Sequence, residues 1–275
     1  MNPNLDFQIL ISTMNRENLD FLWQMFPHHD LNNLNIIIVN QTAEGKLLIS
    51  NVPTVKVLNS FEKGLSKSRN LALQNVTKDW CLLADDDLVY LLGFEKHIAS
   101  GIQKYSKSGV LIFQAQVNEN LLFRKYPDKS QEEMAIFKKL HVRSIEMLLN
   151  KRVIRNPIHF HESFGLGSDV FNCGEEQIVM FEISKKEKLN ISFFKKTIVQ
   201  HPWLDTGREY DKKKRYFSSG AFLAKVFPSS YFKWICIQLF FDVKQGNIKI
   251  REISSKFNEA LRGVKQLKKI ENEAN

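Results

Sequence analysis

The chain opens with short, uniformly apolar runs separated by amphipathic stretches and polar stops. Residues 7–12 (FQILIS) form the first run, which stops at Thr13-Met14-Asn15-Arg16. An unbroken apolar run of this length, bounded by polar residues, predicts a buried strand. Over 17–26 the period changes. Leu19, Leu22, Trp23 and Phe26 fall at i, i+3, i+4 and i+7, the spacing of one helix face, and Pro27 ends it. Residues 34–39 and 54–58 predict a second and a third strand, with Asn40-Gln41-Thr42 after the second. Residues 64–76 predict a helix with Leu65, Leu71, Ala72 and Val76 inward. A fourth strand at 80–84 (WCLLA) runs straight into Asp85-Asp86-Asp87, and 108–117 predicts a fifth.

Alternation of strands and helices, with strands apolar on both faces, predicts an α/β domain built on a mostly parallel sheet flanked by helices. Ligands in such sheets bind at the carboxyl ends of the strands. Those ends are 13–16, 40–42 and 85–87, so the polar residues collect at one edge. The second half is less regular. Residues 118–140 are a polar excursion, and Gly165, Gly167 and Ser168 make a turn-rich loop. A helix is expected over 175–188 and a strand over 190–200, ending at His201-Pro202-Trp203. A terminal helix over 247–270 would carry Ile250, Ile253, Phe257, Leu261 and Val264 on one face.

The 275 residues suit one large domain or two small ones, and 43% hydrophobic with 25% charged residues excludes long disorder. Lys and Arg outnumber Asp and Glu by 39 to 30, a net +9 that suits an anionic partner: nucleic acid, a phosphorylated small molecule or an acidic membrane face. The cations are dispersed among acids and no RRM, KH or HTH signature is present, so nucleic acid is not expected. Three widely spaced cysteines without CxxC predict free thiols in a reducing compartment. No signal peptide pattern opens the chain and no run reaches the roughly 18 apolar residues of a spanning helix, so a cytoplasmic protein is expected. Aromatic residues over 226–241, preceded by the basic cluster 212–215, suit either peripheral contact with an anionic membrane or a helix packed on the core.

Candidate chemistry begins with Asp85-Asp86-Asp87. Three adjacent carboxylates repel one another unless a cation sits among them, and hard oxygen ligands suit Mg²⁺ or Mn²⁺. The alternative is an exposed acidic turn. In Lys63-Gly64-Leu65-Ser66-Lys67-Ser68-Arg69-Asn70, a glycine at a helix start offers free N–H groups to a phosphate, with Lys67 and Arg69 adding charge. A solvated basic helix would read the same. Glu175 and Glu176, after the glycine turn, are candidates for a general base, or for acids that merely favour a helix start.

The ordered set STMNR, IIIVNQT, GLSKSRNLAL and WCLLADDDLVY resembles the nucleotide-binding half of the GT-A glycosyltransferases, specifically the inverting family 2 enzymes. FHESFGLGSDVFNCGEEQIVMFEI is similar to that family's acceptor-side segment. The resemblance implies a nucleotide-diphosphate sugar donor, most often UDP-linked, with Mg²⁺ or Mn²⁺, and a hydroxyl of a glycan or lipid-linked acceptor, as in bacterial surface polysaccharide synthesis. Thr13, Asn15, Arg16, Asn40, Lys67, Arg69, Asp85 and Asp86 would serve the nucleotide. Asp85 and Asp87 would hold metal, His201 resembles by position the histidine that completes the metal shell, and Glu176 (or Glu175) would be the base. A lone hydrogen-bonding histidine is the other reading of His201. Two departures stand out: Asn40 replaces the usual acidic residue, and the usual Glu-Asp pair is Glu175-Glu176. The implied organisation is a donor half over 1–117, an acceptor half over 118–205 and a helical extension over 206–275. A nucleotidyltransferase on a similar fold is the rival enzyme, though STMNR lacks that class's glycine-rich loop. A non-enzymatic anion or nucleic-acid binder is the other rival.

Overall fold

The computed structural model describes residues 6–201 and 206–273, with side chains described outside 206–213. Pro202, Trp203, and the Lys212 and Lys213 side chains of the basic cluster lie outside the described residues.

β1 (Phe7–Met14) buries every residue but its last, because it is covered on both faces. It is followed by a short α1 (Asp20–Met25), then β2 (Ile36–Gln41) and β3 (Val55–Ser60). α2 (Leu65–Gln74) leads to β4 (Trp80–Asp85), β5 (Val89–Tyr90) and α3 (Phe94–Lys104). β6 (Val110–Asn118), β7 (Leu121–Leu122), α4 (Ile136–Lys139) and β8 (Met147–Asn150) follow. α5 (Glu175–Lys186) and β9 (Ile191–Gln200) complete the sheet. The strands run β3-β2-β1-β4-β8-β6-β9-β5, with β7 paired to β6.

β1, β2, β3 and β4 pair in parallel, as the uniformly apolar runs predict. The sheet is not parallel throughout. β8 lies antiparallel between β4 and β6, and β5 lies antiparallel on β9. Alternate residues of β1 feed two cores. Phe7, Ile9 and Ile11 join Leu22 and Phe94 on one face; Leu10 joins Leu73, Val179 and Met180 on the other. Helices therefore cover both faces, and the carboxyl ends of the strands are left open between them.

The aromatic stretch over 226–241 is split at Phe227-Pro228. α6 (Thr206–Val226) ends before it and α7 (Tyr231–Lys244) begins after it. α8 (Ile253–Glu273) is the terminal helix, starting after a single tight turn at Ile250–Glu252. These helices share a third core with Phe164, Phe171, Ile178 and Phe181, so they pack on α5. α7 packs on the core through Ile235 and Leu239, which are buried, and leaves Phe232 and Phe240 exposed. Among the described residues no helix is long and apolar enough to cross a membrane.

Candidate active site

The parallel register aligns the strand ends. Ser12 lies opposite Asp85, Thr13 opposite Asn40, and Asn40 opposite Asn59. Asp86 turns towards β1, where its Oδ2 accepts from Thr13 Oγ1, from Arg16 Nε at 2.8 Å and from Arg16 Nη2 at 2.6 Å. Asn15 holds a left-handed φ of 53°, a conformation asparagine tolerates, and its N–H donates to the Gln41 carbonyl.

Asn40 is wholly buried. Its Oδ1 accepts the Arg16 N–H at 3.0 Å, and its Nδ2 donates to the Arg16 carbonyl at 3.1 Å and to Asn59 Oδ1 at 3.2 Å. A carboxylate at this position could accept but not donate. The amide therefore clamps Arg16 through both of its backbone groups, and it is spent on protein partners rather than turned to the open cleft.

The start of α2 departs from expectation. The Gly64 N–H donates to Gln41 Oε1 at 2.7 Å and the Leu65 N–H to the Leu166 carbonyl at 2.9 Å, so two of the N–H groups read as free for a phosphate are capped. Lys67 faces solvent and pairs with Glu62 at 2.6 Å, which holds its ammonium above the ordinary range. Its neighbours point inward. Ser66 Oγ donates to the Phe164 carbonyl, Ser68 Oγ to Ser12 Oγ, and Asn70 bonds both backbone groups of Phe160. This helix face fastens the first half of the sheet to the 160–166 segment.

Arg69 is 3% exposed and stands at the centre of the site. Its Nη1 lies 3.2 Å from Glu175 Oε1 and 3.6 Å from Glu176 Oε1, and its Nη2 lies 3.6 Å from Asp85 Oδ1. Burial opposes its charge, but Glu176, Asp85 and Glu175 outweigh burial and hold the guanidinium above its ordinary range. Asp85 is pushed up chiefly by desolvation at the cleft floor; Arg69 opposes the rise, and Asp87 and Glu176 add to it.

Two glycines bring the glutamates here. Gly174 precedes α5 at φ 105°, and Gly165 at φ 104° passes so close that a Cβ would meet the Glu175 carboxyl carbon at 3.0 Å. Glu175 is the deeper of the pair. Burial and the adjacent Glu176 raise its carboxyl well above the ordinary range, against Arg69, and its Oε2 has no hydrogen-bond partner. Glu176 keeps 11% of its side chain open and faces the cavity.

His201, at the end of β9, is buried against Phe123, with ring centroids 5.2 Å apart. Its Nε2 lies 3.7 Å from Oδ1 of the exposed Asp87. Among the described residues no group of three or more His, Cys, Asp or Glu stands close enough to cage an ion alone. Asp87, His201 and Asp85 nevertheless fit a hard divalent cation that keeps waters and substrate oxygens in its shell, because the site carries more carboxylates than cations.

Arg69, Asp85, Glu175, Glu176 and His201 line one polar cavity of about 120 Å³. The sequence pointed to all five. It did not point to Phe123, Arg143 or Cys173, which share the cavity wall, nor to Asn59, and it gave Gln41 only as part of the 40–42 strand end; Gln41 and Asn59 support the site. The two supporting amides stand at strand ends beside motif residues, a signal available in principle. Arg143 belongs to no motif and arrives through tertiary packing.

The fold matches solved GT-A glycosyltransferase structures. Residues 1–349 of S. aureus TarS share 15% identity over 98% of this chain and 92% of that one, at a TM-score of 0.52. The same protein in complex with UDP-GlcNAc gives 13%, the same coverage and 0.54. Glucosyl-3-phosphoglycerate synthase from Mycobacterium tuberculosis, in complex with Mn²⁺, UDP and phosphoglyceric acid, gives 9% over 80% of this chain and 78% of that one, at 0.51. No curated protein matches the sequence. The glycosyl transferase family 2 profile matches residues 8–164, more than half of the chain. The chain belongs to that family.

Proposed function

We propose that this glycosyltransferase moves a sugar, with inversion, from a UDP-linked donor to an acceptor hydroxyl, and that Glu176 is its base. The observation that carries this reading is the convergence of Glu175 and Glu176 on Asp85 through one buried arginine. The donor half ends near residue 117, the acceptor half near 205, and the helical extension follows.

The nucleotide lies against the strand ends. Arg16 and Asp86 form its binding edge, with Thr13, Asn15 and Asn40 holding that edge in shape. Asp85, Asp87 and His201 would hold Mg²⁺ or Mn²⁺, which when bound neutralises the diphosphate leaving group. Arg69 is a positioning residue that fixes the glutamates relative to Asp85, while Lys67 offers its charge from the solvent side. Direct displacement needs a carboxylate to take the acceptor hydroxyl's proton. Glu176, open to the cavity, takes it. Glu175 lies too deep to meet an acceptor and keeps its neighbour in place.

The test is a thermal-shift series of UDP-sugars with and without Mn²⁺, followed by turnover of two variants. A true donor raises the Tm by mass action, more so with Mn²⁺. Glu176→Gln should bind the donor almost normally and turn over at least about a hundredfold more slowly. Near wild-type turnover in this variant, with collapse in Glu175→Gln, would move the base to Glu175. Asp87→Ala should lose the Mn²⁺-dependent part of the shift and keep the fold.

A further inference from the structure

Two arginines, Arg69 and Arg143, line the polar cavity, and they are differently employed. Arg69 is spent on Asp85, Glu175 and Glu176. Among the described residues Arg143 makes no ion pair, although the same three carboxylates share its cavity. It is exposed, and Ser144, Ile145 and Asn172 stand with it in the cavity wall. Arg143 also borders a larger cavity of about 580 Å³ beside α5 and α7, which Glu176 lines as well. It therefore stands where whatever fills the polar cavity comes nearest to Glu176.

The backbone that carries Arg143 is held from below. Arg143 opens the tight turn Ser144–Glu146, which leads into β8 between β4 and β6. Glu146 is wholly buried. It accepts the Arg143 N–H at 3.1 Å, Arg124 Nε at 2.8 Å, Arg124 Nη2 at 2.7 Å and the Tyr126 hydroxyl. A buried ion pair contributes little net stability over apolar packing of similar volume. What this one does is fix a turn, so the guanidinium is presented from rigid backbone, as a group that reads a ligand must be.

We propose that Arg143 selects the transferred sugar, and that this sugar carries a carboxylate: the donor is a UDP-hexuronic acid whose carboxylate the guanidinium grips. This rests on the glycosyltransferase reading of the cavity. A neutral ring needs only hydroxyl and amide partners, of which Ser144 and Asn172 stand in the same wall, and it would leave the guanidinium unanswered. An acidic ring would bring a further negative charge towards Asp85 and Glu176, and like charges at this range repel. It is admitted only with a cation held against it. The planar guanidinium fork matches a carboxylate bidentately, and the apolar Phe123, Ile145 and Leu166 in the same wall keep water from screening the pair. The donor is favoured over the acceptor as the source of that carboxylate because Arg143 shares the small cavity with Arg69, Asp85 and His201, the groups assigned to the donor and its metal.

The test is calorimetry on the full chain with Mn²⁺, using UDP-glucuronic acid beside UDP-glucose, UDP-galacturonic acid beside UDP-galactose, and UDP alone. At least one acid should bind at least about tenfold more tightly than its neutral counterpart. Arg143→Gln, at an exposed side chain, should bring that pair to within about threefold of each other, and Arg143→Lys should restore part of the difference as a point charge without the fork. Neutral sugars binding as tightly as both acids in the wild type would overturn the proposal while leaving the donor reading intact. An equal loss of UDP itself in Arg143→Gln would overturn it by placing the guanidinium on the diphosphate. Methyl glucuronide is then titrated into UDP-saturated protein beside methyl glucoside. Arg143-dependent preference for the glucuronide there, without a preference between the donors, would overturn it by moving the carboxylate to the acceptor. Failure of UDP and of every UDP-sugar to bind would remove the donor reading, and this inference with it.

Discussion

Arg69, itself buried, brings one positive charge to three carboxylates, the buried Glu175, the nearly buried Glu176 and the half-buried Asp85. Burying such a cluster is costly, and breaking it by removing the shared partner costs about 3–5 kcal/mol. Arg69→Met should therefore lower the urea midpoint by that order, and a midpoint within error of wild type would mean the cluster is not held by its arginine. The surplus negative charge is relieved by a proton on Glu175, whose folded-state affinity for protons exceeds that of the unfolded chain. The native state then binds more protons than the unfolded state above the ordinary carboxylate value of 4.5, so stability falls as pH rises through that window. Glu175→Gln removes this term while keeping the volume. In metal-free protein, the Tm of the variant relative to wild type should climb between about pH 5 and about pH 8. Parallel curves for the two proteins would contradict the assignment of that proton.

Among the elements, the tightest fit is between α6 and α8. A Cβ on Gly220 would overlap the Ala260 carbonyl, and one on Gly263 would overlap the carbonyl of Phe217, so backbone rather than side chain would have to move. Alanine is worth about 1 kcal/mol over glycine in a helix interior, whereas overpacking costs about 1–3 kcal/mol even where side chains can yield. The second effect wins here: Gly263→Ala should lower the Tm, and a raised Tm would show that the helices separate freely. Neither close approach was legible in the sequence, because it depends on two segments far apart in the chain. What was legible is local. The strands β1 to β4 follow from apolar runs, and the acidic, arginine and histidine candidates follow from their places at element ends. β8 was missed because its four residues, MLLN, carry no period of their own and become a strand only by pairing with β4 and β6. Arg143 was missed for the same reason. It is placed by the buried Glu146, which accepts the Arg143 N–H and is gripped by the Arg124 guanidinium.

At the scale of the whole molecule, the chain carries a net charge of +9, and α7 exposes aromatic residues with cations near them in sequence. Phe232, Phe240 and Phe241 are 56%, 64% and 43% exposed, and Lys233, Lys244, Lys249 and Arg251 are exposed beside them. Ile235 and Leu239, on the other face, hold the helix to the core. Outward aromatics ringed by cations suit the interfacial layer of an anionic membrane, where each cation near the surface adds about 1 kcal/mol. We propose that α7 is the face by which the protein rests on such a surface. The protein should co-sediment with vesicles containing phosphatidylserine and remain in the supernatant with neutral ones. High salt should release it, since the field is screened within about 3 Å at 1 M ionic strength. Phe240→Ser removes apolar contact at an exposed side chain, and it should weaken sedimentation several-fold while leaving the Tm near that of the wild type. Equal recovery from anionic vesicles, neutral vesicles and buffer would leave these aromatics without a membrane role.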